Sequence, residues 1–197
     1  MQKVVFSLLA VSALILSAFT VVPPAEKMVD IEKSEITWTG KKVTGSHNGT
    51  IQLKEGSLMM EADMLKGGSF IIDMTSIKNL DMAGKDGAGK LEGHLKSADF
   101  FNVAEYPNAI LEISEVVHRG TPGSFKVVGD LTIKGITKPI KFNTQISTEG
   151  GMTVATADIT VDRSEYDVRY GSGSFFDNLG DKTIYDEFDL NVKLVLK

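Results

Sequence analysis

Apolar and polar residues alternate with a period of two along most of this chain, the spacing of a strand with one buried face. Phe125, Val127, Leu131 and Ile133 share a face opposite Lys126, Asp130, Thr132 and Lys134. After Gly135 come Ile136, Ile140, Phe142 and Ile146, opposite Thr137, Lys141, Asn143 and Gln145. The last run sets Phe188, Leu190, Val192, Leu194 and Leu196 against Glu187, Asp189, Asn191 and Lys193. Earlier, Leu58, Met60, Ala62 and Met64 alternate with Met59, Glu61 and Asp63, and Phe70, Ile72 and Met74 follow. Between Met152–Val154 and the series Ala155, Ala157, Ile159, Val161 the phase slips by one residue, which predicts a β-bulge.

Strands of this kind belong to antiparallel sheets with one wet face. Turn signals separate them: Glu55-Gly56, Lys66-Gly67-Gly68, Thr121-Pro122-Gly123, Lys134-Gly135 and Glu149-Gly150-Gly151. Many strands on hairpin-length connections give an all-β barrel or sandwich. The barrel is the reading adopted, because closure removes the sheet edges through which proteins aggregate. Roughly eight antiparallel strands would enclose room for one small ligand, as in lipocalins.

Two stretches break the alternation. Residues 79–90 carry three glycines and read as a mobile loop, followed by a helical stripe of Leu91, Leu95 and Ala98. The spacing predicts one short amphipathic helix near residues 90–98, too short to stand without docking on the sheet. The second break runs from Arg163 to Asp181 and contains Phe175-Phe176 among glycines.

The N-terminus changes the picture of where the barrel resides. Lys3 is the only charge before Glu26, and Val4 to Phe19 is almost continuously apolar. Residues 1–20 therefore read as a secretory signal peptide, cleaved between 20 and 25. Residues 21–27 read as linker, residues 27–197 as one domain, and the expected location is periplasmic, soluble and without stable membrane insertion after cleavage. There is no cysteine, so neither a disulfide nor a lipobox is available and the fold rests on its apolar core. Without residues 1–20 the net charge is −6. An acidic domain without a basic run excludes nucleic acid and anionic membrane surfaces as expected partners.

Candidate chemistry is sparse. His47, His94 and His118 lie on separate elements, without metal-ligand spacing, and no nucleophile elbow or phosphate loop occurs. No catalytic residue, metal or cofactor is expected. His94 has two open readings, a polar residue satisfied locally or a mouth residue facing a ligand head group. Asp99 suits a structural pairing with Arg163 or Lys96. Phe100, Phe101 and Tyr106 form an aromatic cluster behind the helix, with one of the adjacent phenylalanines able to face a pocket. Trp38 is expected to plug a barrel end.

The run His94 to Pro107, His-Leu-Lys-Ser-Ala-Asp-Phe-Phe-Asn-Val-Ala-Glu-Tyr-Pro, resembles the core motif of the YceI-like family. Phe70-x-Ile72-Asp73, the segment Gly129 to Ile140 and the corner Arg163-Ser164-Glu165-Tyr166 are similar to further family segments. The chain departs from the pattern at Asp167-Val168, at His47 and in the glycine-rich 79–90 loop. The resemblance implies a lipocalin-like periplasmic barrel that binds a long apolar lipid: a polyisoprenoid, a fatty acid or an amide. A filled, non-catalytic structural or stress-response barrel is the alternative. The apolar wall is then expected at Phe70, Ile72, Phe100, Phe142, Ala157 and Phe188, and the mouth at His94, Arg163 and Tyr166. The expected partner is a long-chain isoprenoid or fatty-acid-type lipid, with a homodimer left open.

Overall fold

The computed structural model describes residues 23–197; the expected signal peptide lies outside the described residues, except for the end of its cleavage window. Among the described residues nine strands form one antiparallel sheet: β1 (Ala25–Met28), β2 (Glu35–Lys42), β3 (Gly45–Glu61), β4 (Met64–Asn79), β5 (Asn108–His118), β6 (Ser124–Ile133), β7 (Ile136–Glu149), β8 (Met152–Asp162) and β9 (Ile184–Leu196). Neighbours run β2-β9-β8-β7-β6-β5-β4-β3 and back to β2, so eight strands close a barrel. One helix, α1 (Ala88–Lys96), crosses one end, and single 3-10 turns lie at Arg163–Tyr166 and Gly180–Lys182.

The stretch expected as linker contributes β1. It pairs with Ser57–Met60 of β3, while β2 pairs with Gly45–Ile51 of the same strand. Between them, the Asp30 amide donates to the Val195 carbonyl and the Ser34 hydroxyl accepts from the Val195 amide. β1 and β2 thus share one place in the wall, and the turn between them seals the seam with β9.

Three sequence expectations need correction. The alternation Leu58–Met64 is not one strand: Glu61 pairs with Met64 across a tight turn in which Ala62 has φ 52°. Alanine is a poor signal for a left-handed turn position, so the apolar pattern runs through it unbroken. Conversely, Glu55-Gly56 and Lys66-Gly67-Gly68 are not turns but lie inside long strands beside register shifts. Gly56 is required there because a Cβ would sit 2.8 Å from the Phe70 ring. The phase slip in β8 is not a bulge, since its ladders to β7 and β9 run without a shift. Val154 and its partner Val195 share the outer face and are buried there, where the Asp30–Ser34 turn binds Val195.

The helix begins earlier than expected and excludes Ala98. The stretch before it is tied down rather than loose: the Asn79 side chain donates to the Asn48 carbonyl and to Asp81, and accepts from the Met82 amide.

The core forms two clusters. At the end holding β1 and the β3–β4 and β7–β8 turns, Phe125 and Val127 are wholly buried with Val29, Leu58, Met60, Phe70 and Leu194. At the α1 end, Phe100, Val103, Ile133, Val161, Tyr166 and Val168 form the second. The β7–β8 ladder covers only Asn143–Glu149 with Met152–Asp158, so the two strands part toward the α1 end. Pro139, which has no N–H to donate, sits in that part of β7.

Candidate functional site: an apolar cavity in the barrel

Between the two clusters lies a cavity of about 260 Å3. Its wall is almost wholly apolar and takes residues from every barrel strand, because each strand turns alternate side chains inward. An apolar cavity of roughly 150 Å3 is already able to stay dry and accept an apolar guest. At the α1 end the lining passes Leu91, His94 and Leu95 of α1, Gly40, Lys41 and Lys42 of β2, His47 of β3, and Ile184 and Tyr185 of β9. These elements frame the mouth.

The motif from His94 to Pro107 builds this end. The Ser97 hydroxyl donates to the His94 carbonyl at 2.8 Å, and Asn102, at φ 48°, returns its amide to Ser97. The Phe101 and Val103 amides bond to the carbonyls of Leu95 and Lys96, reversing the chain beneath the helix. Pro107 then accepts from the Met74 amide, and β5 begins. The reversal drives Phe100 into the core, edge-on to Phe101 at 5.2 Å and to His94 at 5.7 Å. His94 also meets Tyr170 at 4.3 Å.

Arg163 lies buried under this cluster, its guanidinium 5.2 Å from the centre of the Phe100 ring. The ladder between β8 and β9 ends at Asp162–Glu187, and β2 slips against β9 between Gly40 and Lys42. The guanidinium takes over from the ladder: Nε donates to the Tyr185 carbonyl, Nη2 to Ile184 and Nη1 to Val168, at 2.7–3.2 Å. Asp186 lies 3.2 Å from Nη2. Burial lowers the arginine's pKa, with Asp186 and Asp162 opposing that effect. Asp186, rather than Asp99, is its carboxylate partner.

A second polar knot borders the mouth. Asp81 accepts from the Asn48 amide and from Asn79, and its Oδ2 lies 2.9 Å from His47 Nδ1. The Asn48 amide, with His47 and Asn79 assisting against desolvation, holds the Asp81 carboxyl down at about 2. Trp38 lines the wall beside this knot and donates Nε1–H to the Thr50 carbonyl. It packs over Gly49, where a Cβ would fall 1.8 Å from the Lys78 carbonyl oxygen.

Most of the residues proposed from sequence meet at this cavity. Phe70, Ile72, Phe100, Phe142, Ala157 and Phe188 lie on its wall, and His94 and Arg163 line it near the mouth. Tyr166 is corrected: it is outside the lining and buried in the core, where desolvation pushes its phenol up to about 12. The first turn after β8 points it inward beneath Arg163 instead of toward the mouth. Leu91, Leu95, Trp38, Ile184 and Tyr185 also line the cavity but were not expected there. The helical stripe announced the two leucines; Ile184 and Tyr185 follow an irregular loop and carried no comparable signal. No cluster able to hold a metal ion occurs among the described residues.

The sequence profile of the YceI-like domain matches residues 28–196. The chain belongs to the YceI-like family. Among curated proteins, a UPF0312 protein of Photorhabdus laumondii is 42% identical over 57 residues, and one of Yersinia pestis 37% identical over 57 residues. In both cases the match spans 29% of this chain and 29% of the relative. Among solved structures, Burkholderia cenocepacia BcnA is similar with a TM-score of 0.66 at 21% identity, covering 86% of this chain and 99% of that one. A polyisoprenoid binding domain from Saccharophagus degradans has a TM-score of 0.59 at 14% identity, covering 87% and 97%. The Campylobacter jejuni YceI protein has a TM-score of 0.54 at 17% identity, covering 74% and 82%. The YceI-like fold therefore accounts for the closed barrel and for α1.

Proposed function

We propose that this YceI-like protein is a periplasmic binding or carrier protein that holds one long apolar lipid chain, of polyisoprenoid, fatty-acid or amide type, inside the barrel. The observation that carries this reading is the 260 Å3 cavity, with its apolar wall and a lining that reaches exposed residues at the α1 end. Each methylene buried in such a cavity gains about 0.8 kcal/mol, so chain length and shape set affinity. A charged head group would lose its hydration inside without finding partners, and so it stays at the mouth. The similar barrel from Saccharophagus degradans is a polyisoprenoid binding domain, which supports the same class of ligand.

In this reading Phe70, Ile72, Phe142, Ala157 and Phe188 contact the chain, and His94, Lys42 and Tyr185 are nearest its head. Arg163 shapes the mouth without serving as the head-group anchor, since its three nitrogens are engaged by carbonyls. Binding needs no bond-making step, so the role is non-catalytic. Export rests on the apolar N-terminal run, and intact mass of the periplasmic form tests it: a start between Val21 and Glu26 is expected.

Mass spectrometry of an organic extract from the purified protein tests the binding role. An acyl or prenyl chain is expected at about one per barrel. Ala157→Phe should then abolish it while the protein stays folded. An empty wild-type extract, with Ala157→Phe destabilised by overpacking at about 1–3 kcal/mol, would establish the filled barrel instead.

A further inference from the structure

The rim around the mouth carries exposed apolar side chains that the core does not use. Val43 of the β2–β3 turn, Leu80 after β4, Tyr170, Phe175 and Phe176 of the loop after β8, and Tyr185 are each 40–50% exposed. Backbone bonds draw these segments together. The Val43 amide donates to Thr183, the Ile184 amide to Gly171, and the Leu80 amide to Asn48 beside the β2–β3 hairpin.

Their exposure is built into the loop. Ser172 is fully buried; its carbonyl accepts from the Phe175 and Phe176 amides, and its hydroxyl accepts from the Ser174 amide. The Ser174 hydroxyl in turn donates to Asp186 at 2.7 Å. An anchored loop thus holds two adjacent phenylalanines away from the core. Charges of both signs stand nearby: Lys41 pairs with Asp189 and Arg169 with Asp167, His47 contacts Asp81, and the same loops carry Lys42, Lys182, Asp177 and Asp181.

We propose that this rim docks the mouth onto the neutral lipid surface of a bilayer, inserting Phe175 and Phe176 with Tyr170 and Tyr185 at head-group depth. The inference rests on the carrier reading. A cargo insoluble in water resides in a membrane, and Tyr185 belongs both to the exposed rim and to the cavity lining, so the apolar path is continuous from surface to interior. Phenylalanine and tyrosine are the side chains suited to that depth. A rim of mixed charge without a basic cluster has little field to draw it to anionic lipid, so attachment comes from buried apolar area.

The chain from Pro23 onward, which contains every strand of the barrel, is floated with phosphatidylcholine–phosphatidylethanolamine vesicles. Co-flotation is expected. The double variant Phe175→Ser, Phe176→Ser should reduce the bound fraction at least about fivefold, with its melting temperature unchanged. Met59→Ser with Met152→Ser, at the far end, should leave binding intact. Raising salt from about 0.05 to about 0.5 M should change binding little. Wild type that stays out of the vesicles, equal losses from both double variants, or release by salt would each overturn the proposal. So would self-association through the rim, seen as a dimer that the phenylalanine variant abolishes without any vesicle binding. Lipid extracted from the same preparations separates the two ideas: a loaded cavity without vesicle binding removes the docking and leaves the carrier reading standing.

Discussion

The two ends of the barrel solve opposite problems. At the β1 end, Phe125 and Val127 are fully buried, Val29 fills the space beside Gly56 and Phe70, and the exposed apolar residues are Met28, Ile31, Met59, Met64, Val117 and Met152, none of them aromatic. At the α1 end, the helix has no buried residue, rings stand in solvent, and above the second core cluster the loops meet on a buried arginine bound to three carbonyls. One end is sealed by side-chain packing. The other is held by directional bonds around an opening. Apolar packing fills any gap it can reach, whereas a guanidinium fixes loops at defined distances and leaves space between them. That is the physical means by which one barrel is both closed and open.

The contrast breaks if packing is not what seals the β1 end. Phe125→Ala should cost about 3–5 kcal/mol, the largest effect expected, because the site is surrounded and cannot collapse. Chemical denaturation measures it, and a loss below about 1 kcal/mol would show that end to be loose. At the mouth, Arg163→Ala should cost about 3 kcal/mol by leaving three carbonyls without their donor and Asp186 without its cationic partner. Arg163→Lys should recover only part of this, since an ammonium lacks the fork that spans Val168, Ile184 and Tyr185. Equal stability of the lysine variant and wild type would mean that charge alone matters there.

A smaller effect separates the ends by pH. Asp81, at the mouth, sits at about 2, below the ordinary carboxylate value near 3.9. A depressed folded-state pKa contributes stability that is complete above the unfolded value and lost as pH falls toward the folded one. Melting temperature should therefore drop between about pH 4 and pH 2 more in wild type than in Asp81→Asn. Parallel curves for the two proteins would show that the knot does not hold the mouth. Smallest is a gain: Gly93, in α1, has open space where a Cβ would stand. Gly93→Ala should stabilise by about 0.5–1 kcal/mol, which a shift in denaturation midpoint would register. A loss instead would mean that α1 must bend there.

The fold class, the inward faces of β6, β7 and β9, and the helix that ends in the aromatic cluster were legible in the order of residues. Period-two alternation states directly which side of a strand is buried, and many such strands on short connections favour a sheet closed on itself. Parity also placed Phe70, Ile72, Phe142, Ala157 and Phe188 on inward faces, whereas Phe100, in the turns after α1, came from the motif at His94 to Pro107. Packing between distant segments set where a strand ends. Ala62 turns a chain whose apolar pattern is continuous, and Gly56 continues a strand at an apparent turn, because the Phe70 ring needs the space a Cβ would take. It likewise decided that Arg163 meets Asp186 and not Asp99, and that Tyr166 faces the core. Those choices depend on how the β8–β9 ladder ends and how β9 slips against β2. Parity fixes the face of a residue within a strand; beyond the strand's last bond, direction is set by partners distant in the chain.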